Sequence, residues 1–381
     1  MHFTFVLISL ASMGQQQGPQ PEAPRDDAVE RLVQQLSVRK FRKRQAASAQ
    51  LRKLGAKAVP ALRKAVADTE NAEVANRAKA ILRGILGTDA REEFLRQPTK
   101  SAASQLTDWK QLRSVFASDA NAIDGFASWL RIEPELFEAR IVGGKELQQR
   151  ITKIISRLAD FSKQPLPTDD ALLRVKALLF VASTTKLDAQ SRSEIQELFK
   201  LAAMRRAMLP RERKVELRRL AGQWILSKGG SPDEKLLLSL RNALPEGLTL
   251  AESIVRSKAR GSRMQYALHT IGRFGGKQQI PLLKFQLTNT TPLSRPRVRA
   301  VRENDRRRNS PYQYEVRDIA LAMLWHLHGE KPGNHGFDPK RARPDTRFVY
   351  SLAGLGFSSE EDRKAAFAEW AAFESKQNPI E

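Results

Sequence analysis

The 381-residue sequence contains no cysteine. This absence excludes disulfide bonds, thiolate metal sites and cysteine nucleophiles, so stability has to come from packing. Long apolar runs are missing too. The longest apolar-rich run, Phe3 to Leu10, is far shorter than the roughly 20 residues that a membrane-spanning helix needs. The sequence therefore predicts no transmembrane span.

Recognisable catalytic motifs are also absent. The sequence has no G-x-S-x-G nucleophile elbow, no G-x-x-x-x-G-K-[ST] phosphate loop and no G-x-G-x-x-G dinucleotide fingerprint. Among the five histidines, only His326, His328 and His335 form a group. Two helical residues two positions apart point in different directions, so His326 and His328 lack the i, i+4 spacing of helical zinc ligands. We expect no catalytic residue, no metal site and no cofactor.

The apolar run at the N-terminus is followed by small residues and then by a low-complexity polar stretch. This order is typical of a secretory signal, although no Lys or Arg precedes the run. We expect residues 1–14 to be a signal peptide and residues 15–25 a spacer, and the protein to be exported to a bacterial periplasm or the extracellular space. The alternative is a frayed apolar N-terminus on a cytosolic protein.

Helical periodicity runs through most of the chain, and strand-like alternation with hairpin turns is missing. The sequence therefore predicts an all-α fold. In the stretch from Lys40 to Leu86, Gly55 is placed for a left-handed cap at the end of one helix and Pro60 lies in the first turn of the next. A third helix follows the polar turn at 68–71, and its apolar residues share one stripe: Val74, Ala78, Ile81, Leu82 and Ile85.

The same pattern occurs again nearer the C-terminus. Gly275 and Gly276 follow one helix, and Pro281 opens the next. The corresponding stripe of the third helix is Val316, Ala320, Met323, Leu324 and Leu327. Helical hairpins of this kind bury their apolar faces by stacking on neighbouring hairpins. The duplication therefore predicts a repeat scaffold.

These two segments resemble HEAT and HEAT-like repeats, and among them the HEAT-domain proteins that bacteria export. The resemblance covers residues 28–88 and 262–330. In the first segment it is carried by Phe41, Arg44, Ala47, Leu51, Leu54, Gly55, Pro60, Leu62, Val74, Arg77, Ala78 and Leu82. The resemblance implies an α-solenoid with a binding role and does not imply a substrate.

We expect an N-terminal repeat pair over residues 26–90, a helical middle region over 104–260 and a C-terminal HEAT-like unit over 261–381. The C-terminal unit carries an insertion, 288–314, where the first copy has only a short turn. A capping-box signal opens a last helix, 359–374, which we expect to cap the stack. The five tryptophans lie in helical apolar patterns and are expected in the core.

Acidic residues are scarce, with 42 Asp and Glu against 65 Lys and Arg, which gives a net charge of +23. Such an excess favours a polyanionic partner. The stretch Ser37 to Ala67 has ten basic residues and no acidic one, and the insertion is rich in arginine. The candidate contact residues are Arg39, Lys40, Arg42, Lys43, Arg44, Arg295, Arg297, Arg299, Arg302, Arg306, Arg307 and Arg308. A solvated surface without a ligand is the alternative, and it is our expectation for a further cluster at 205–219.

We expect a non-enzymatic binding or scaffold protein whose basic surfaces engage an anionic polymer, such as a wall or surface polysaccharide, or an acidic protein. Nucleic acid is an alternative partner, since HEAT-like solenoids include DNA-binding glycosylases. The expected export argues against it, as does the lack of aromatic residues interleaved with the basic runs. An enzyme with an unrecognised site in the helical middle is a second alternative.

Overall fold

The computed structural model of the protein describes residues 26–68, 71–116, 118–160, 168–208, 215–257, 259, 261–293, 314–351 and 354–377. Within these ranges the regular structure is helical, and the only β-type pairs are two isolated bridges, Pro292 with Glu315 and Pro344 with Tyr350. The prediction of an all-α fold is confirmed. The expected signal peptide and spacer lie outside the described residues.

The α-helices in chain order are α1 (Asp26–Gln34), α2 (Phe41–Leu54), α3 (Val59–Asp68), α4 (Ala72–Leu86), α5 (Thr88–Arg96), α6 (Lys100–Ser104), α7 (Trp109–Arg113), α8 (Asp119–Ile132), α9 (Pro134–Val142), α10 (Gly144–Asp160), α11 (Asp169–Thr184), α12 (Ala189–Leu198), α13 (Ala202–Ala207), α14 (Val215–Leu226), α15 (Pro232–Asn242), α16 (Gly247–Arg256), α17 (Ser262–Phe274), α18 (Ile280–Phe285), α19 (Val316–Leu327) and α20 (Glu360–Gln377). Short 3₁₀ turns include Gly55–Ala58 and Lys277–Gln279.

The chain divides into two compact units, Met1–Asp89 and Ala90–Glu381. Apolar side chains of α1 to α4 form the core of the first unit. The second unit has two apolar clusters, one drawn from residues 94–244 and the other from residues 236–370. All five tryptophans are buried in this second unit, as expected from their helical apolar surroundings.

In the first unit, local signals explain the bounds of α4. The side chain of Asn71 accepts hydrogen bonds from the backbone N–H groups of Glu73 and Val74, which caps the start of the helix. Gly87 ends it in the left-handed conformation, with φ 64° and ψ 26°. Within α4 the predicted stripe is confirmed: Val74, Ala78 and Ile81 are buried, and Leu82 and Ile85 pack half-buried against the same cluster.

One detail of the expected turn is wrong. Gly55 follows α2 with φ 58° and ψ −129°, which lies outside the left-handed helical region. The chain instead enters the 3₁₀ turn Gly55–Ala58 and then α3, where Pro60 is the second residue. A positive φ still favours glycine at this position.

The C-terminal copy repeats this local order. Helix α17 ends at Phe274, two glycines and a 3₁₀ turn follow, and Pro281 is the second residue of α18. Helix α19 packs on both α17 and α18, just as α4 packs on both α2 and α3. In α19 the predicted stripe residues from Val316 to Leu324 are buried, while Leu327 is half-buried. The two segments thus share their order of elements and their helix contacts.

The last helix is attached by an ion pair that the sequence analysis did not identify. The hydroxyl of Ser359 accepts a hydrogen bond from the Asp362 N–H and caps α20. One residue later, the buried Arg363 donates to both carboxylate oxygens of Asp318 at 2.9 and 3.2 Å. Because Asp318 lies in the first turn of α19, this bidentate pair fixes α20 to that helix. The expected apolar side of α20 packs beside it, with Ala366 and Trp370 buried.

A fully buried carboxylate organises the middle of the second unit. Glu133, between α8 and α9, is 0% exposed and accepts a hydrogen bond from Arg150 at 2.7 Å and another from Arg174. The guanidinium of Arg157 lies 3.8 Å away. Arg150 also pairs with Glu135, whose side chain is 64% exposed. Two carboxylates thus share one arginine, one of them in the interior and one in solvent.

We expect Glu133→Gln to lower the free energy of unfolding by about 1.5 to 3 kcal/mol, because it weakens charge-assisted hydrogen bonds from the half-buried Arg150 and Arg174 and leaves Arg150 with only the exposed Glu135 as a charged partner. Glu135→Gln is the matched control and should cost less than about 1 kcal/mol, since water and salt already screen that pair. Urea unfolding of both variants provides the measurement. Equal losses would show that Glu133 is not the charge that holds these helices together.

A buried histidine lies in α17 with neither ring nitrogen hydrogen-bonded to a described residue. His269 is 0% exposed, and its ring meets Phe348 edge-on at 6.0 Å between centroids. Burial lowers the pKa of His269 from its ordinary value of 6.5 to about 3, against a small opposing effect of Asp345. The imidazole is therefore neutral in the folded protein at pH values where the unfolded chain already binds a proton.

Since the folded-state pKa is the lower one, this histidine contributes stability above pH 6.5 that is lost as the pH falls toward 3. By linkage, His269 should cost the wild type about 2.5 kcal/mol between pH 7 and pH 4.5. His269→Met fills the same space without a titrating group, so its unfolding free energy should fall less over that interval. If the unfolding free energies of the two proteins fell equally with pH, the lowered pKa of His269 would be contradicted.

Candidate anion-binding surface

Helix α2 has one buried face and one basic face. Its buried residues Ala47, Ser48 and Leu51 contact the core of the first unit. Arg42 and Lys53 lie on the opposite side of the helix, about three turns apart. The exposed basic residues of α2 and its flanking segments are Arg39, Lys40, Arg42, Lys43, Arg52, Lys53 and Lys57. The structure thus brings four of the five predicted N-terminal contact residues onto one exposed surface.

These seven side chains, which we call the α2 basic surface, have no acidic partner among the described residues. Within the described part of the chain, no carboxylate oxygen lies within 4.0 Å of any of them. The nearby acids have other partners: Glu30 lies 3.7 Å from Lys64, and Glu73 binds Arg77 at 2.6 Å. The positive charge of the surface therefore faces solvent.

The start of α2 concentrates this charge further. Lys40 occupies the N-cap position without a capping side chain, and the first turn has no acidic residue. The unpaired N–H groups of a helix N-terminus carry a partial positive charge. Here that charge adds to the charges of Lys40, Arg42 and Lys43, so an approaching anion meets the strongest attraction at this end of the helix.

Arg44 has a different role from the other predicted contact residues. Its side chain is 17% exposed, and its guanidinium donates to the carbonyl oxygens of Val38 at 3.0 Å and Arg39 at 2.8 Å. Its Nε lies 3.9 Å from Glu73 on α4. The hydrogen bond and charge of Arg77, together with the charge of Arg44, hold the pKa of Glu73 below its ordinary value. Arg44 thus positions the turn that carries Arg39 and Lys40.

One aromatic side chain lies within the basic run. Phe41, between Lys40 and Arg42, is 61% exposed, and its ring centroid is 5.9 Å from the Arg44 guanidinium carbon. The expectation that aromatics do not interleave with the basic runs is therefore wrong at this position. Phe41 is one of the residues that carry the resemblance to HEAT-like repeats. Its place among five basic neighbours was the signal for a surface role.

The predicted arginines of the insertion, Arg295 to Arg308, lie outside the described residues. The structure does show how the insertion is closed. The Leu293 N–H donates to the Tyr314 carbonyl at 2.9 Å, and the Val316 N–H donates to the Thr291 carbonyl at 3.1 Å. The two ends of the insertion therefore meet at the start of α19.

Two residues of the basic cluster at 205–219 do not lie on a simple solvated face, while residues 209–214 lie outside the described residues. Arg218 is half-buried and donates to the carbonyl oxygens of Met208 at 2.7 Å, Asn242 at 2.8 Å and Ala243 at 2.8 Å. Arg219 donates to the Val115 carbonyl at 3.2 Å. The expected solvated surface is wrong for these two residues, because they satisfy carbonyl groups at helix ends.

The histidine group near the end of α19 contributes to packing. His335 stacks on Trp325 with ring centroids 3.6 Å apart, and its Nδ1 lies 2.8 Å from Glu369. His326 Nδ1 lies 3.2 Å from the Tyr350 hydroxyl. In the described ranges, no three His, Asp or Glu side chains gather in a way that could hold a metal ion.

None of the described helices has both the length and the apolar character needed to cross a bilayer. Comparison of the sequence with protein-family models finds no match, and comparison with curated proteins finds no significant similarity. The resemblance to HEAT-like repeats therefore stays a prediction.

Proposed function

We propose that this protein is a non-enzymatic binding or scaffold protein whose N-terminal unit engages an anionic polymer through the α2 basic surface. The observation that carries the proposal is the set of seven exposed cations without a carboxylate within 4.0 Å in the described part of the chain. Like charges on one helix and its flanks repel one another, and an anionic ligand relieves that repulsion. An acidic protein would supply the same complementary charge.

The layout of the surface favours a polymer with repeated anionic groups. Arg42 and Lys53 are separated by eleven residues of helix, which corresponds to about 17 Å along the axis. A repeating polyanion can contact both of them and the cluster at the helix start together, and each contact releases counterions. Flexible exposed side chains make point-charge contacts, so we expect strong salt dependence and weak selectivity for the sequence of the polymer.

The compartment decides which polymer is available. If residues 1–14 direct export, as we propose, the partner is a wall or surface polysaccharide. Single-stranded nucleic acid is the second candidate, and the exposed ring of Phe41 favours it because bases stack on aromatic side chains. The shared local order of α2–α4 and α17–α19 supports the proposal that the unit is a HEAT-like scaffold.

The charge proposal is tested by a triple variant, Arg42→Gln, Lys43→Gln and Lys53→Gln, against a control of the same net charge, Arg131→Gln, Lys145→Gln and Lys153→Gln. The control residues are also exposed, and no carboxylate oxygen of the described residues lies within 4.0 Å of their side-chain nitrogens. On immobilised dextran sulfate the α2 variant should elute at clearly lower salt than the control, because local rather than total charge makes the contacts. Thermal unfolding should be unchanged in both proteins.

Equal retention of the two triple variants would contradict a specific role for α2. A second variant, Phe41→Ala, distinguishes a nucleic-acid partner from a polysaccharide partner. Loss of at least fivefold in affinity for oligo-dT with unchanged retention on dextran sulfate would identify a nucleic-acid surface. No effect on either ligand would leave the anionic polysaccharide as the partner, since charge alone then accounts for binding.

A further inference from the structure

A pocket of about 410 Å³ lies in the second unit between the end of α14, the loop at 227–231 and helices α15 and α16. Ile225, Leu226 and Leu250 supply apolar walls, and the hydroxyl residues Ser227 and Ser253 also line it. Leu226 is 53% exposed, so part of its side chain is open to solvent. The pocket thus combines an apolar wall with a few polar groups, the usual make-up of a small-molecule site.

A buried lysine lines the same pocket. Lys235, in the first turns of α15, is 4% exposed, and its ammonium donates to the Ser227 carbonyl and lies 3.4 Å from the Ser227 hydroxyl. The Trp224 ring centroid is 5.5 Å away. No carboxylate of the described residues lies within 4.0 Å of this ammonium. A buried ammonium is ordinarily paired with an anion, so its charge is uncompensated here.

The surrounding charges increase this imbalance. Burial, and then the charge of Arg192, lower the pKa of Lys235 to about 8. Arg192 donates to the Lys228 carbonyl at 3.3 Å. The neighbouring acids are engaged elsewhere, since Asp233 binds Arg263 at 2.9 Å and Glu234 lies 3.9 Å from Lys200.

A glycine pair keeps the cationic groups close to the loop. Gly229 and Gly230 have φ of 82° and 80°, where side chains are strained. A Cβ on Gly229 would lie 2.0 Å from a guanidinium nitrogen of Arg192, and one on Gly230 would lie 3.4 Å from Lys235 Cε. The close approach of the loop to Arg192 therefore needs glycine at 229, whereas at 230 it is the positive φ that favours glycine, since the contact with Lys235 is an ordinary one.

We propose that this pocket binds a small amphipathic carboxylate, with its anionic head beside the Lys235 ammonium and its apolar body against Ile225, Leu226 and Leu250. A lysine ammonium has three N–H donors, and Ser227 offers acceptors for two of them. The carboxylate supplies both the remaining acceptor and the missing negative charge. This site is independent of the α2 basic surface and of its polymer.

The test uses octanoate as the probe, with octanol and octylamine as head-group controls, on the full-length protein. Calorimetry should show binding of octanoate to the wild type and at least tenfold weaker binding of the two controls. Octanoate should also protect Lys235 from an amine-acylating reagent, read by mass spectrometry. Lys235→Met, which removes the charge, should weaken octanoate binding at least tenfold.

A second variant keeps the proposal testable if Lys235→Met does not fold. Ser253 is exposed at the rim of the pocket, so Ser253→Trp should block the apolar cavity while leaving Lys235 and the fold intact. It should abolish octanoate binding, whereas the control variant Arg131→Gln, Lys145→Gln and Lys153→Gln should bind as the wild type does. Octanoate binding that survives Ser253→Trp, equal affinity for octanol, or no binding and no protection in the wild type would overturn the proposal.

Discussion

Every helix ends in carbonyl groups that have no partner inside the helix, and those that are buried require a donor. In this chain basic side chains supply several of these donors. Arg218 binds three carbonyl oxygens at the ends of α13 and α15, and Arg219 and Lys235 bind one each at the ends of other helices. The Arg219 contact joins elements 104 positions apart in sequence, and the contacts of Arg218 and Lys235 join neighbouring elements 8 to 25 positions apart. Part of the excess positive charge is therefore structural and contributes to holding the second unit together.

The scarce acids are distributed in a way that complements this use of arginine. Glu133 and Asp318 are both fully buried, and each accepts hydrogen bonds from arginine. In the first unit, exposed cations such as Arg42 and Lys53 have no carboxylate oxygen of the described residues within 4.0 Å. Lys235 has both a structural and a binding role, because it donates to a carbonyl at the end of α14 and also lines a pocket.

Short-range pattern predicted the elements of this fold, and long-range contacts decided the roles of its charged residues. The stripe of Val74, Ala78 and Ile81 and the helix start at Pro281 follow from periodicity and local backbone preferences, which the sequence displays directly. The partners of Arg218 do not follow from local patterns. Arg218 lies in α14 and Asn242 ends α15, so the two meet only when α15 packs against α14. The Lys235 pocket needs three elements to meet, so its residues carry no signature along the chain. Phe41 shows the limit of periodicity, since an apolar residue in a helix can also face solvent.

The central claim is that basic residues of this protein divide into those that hold helix ends and those that face a ligand. The most direct test compares Arg218→Gln with Arg42→Gln, which remove the same charge. Arg218→Gln should lower the free energy of unfolding by about 1 to 3 kcal/mol, through lost bonds to buried carbonyls, and leave retention on a polyanion column nearly unchanged. Arg42→Gln should lower retention on the polyanion column and leave the free energy of unfolding nearly unchanged. Equal effects of the two substitutions on unfolding, or on retention, would contradict the division.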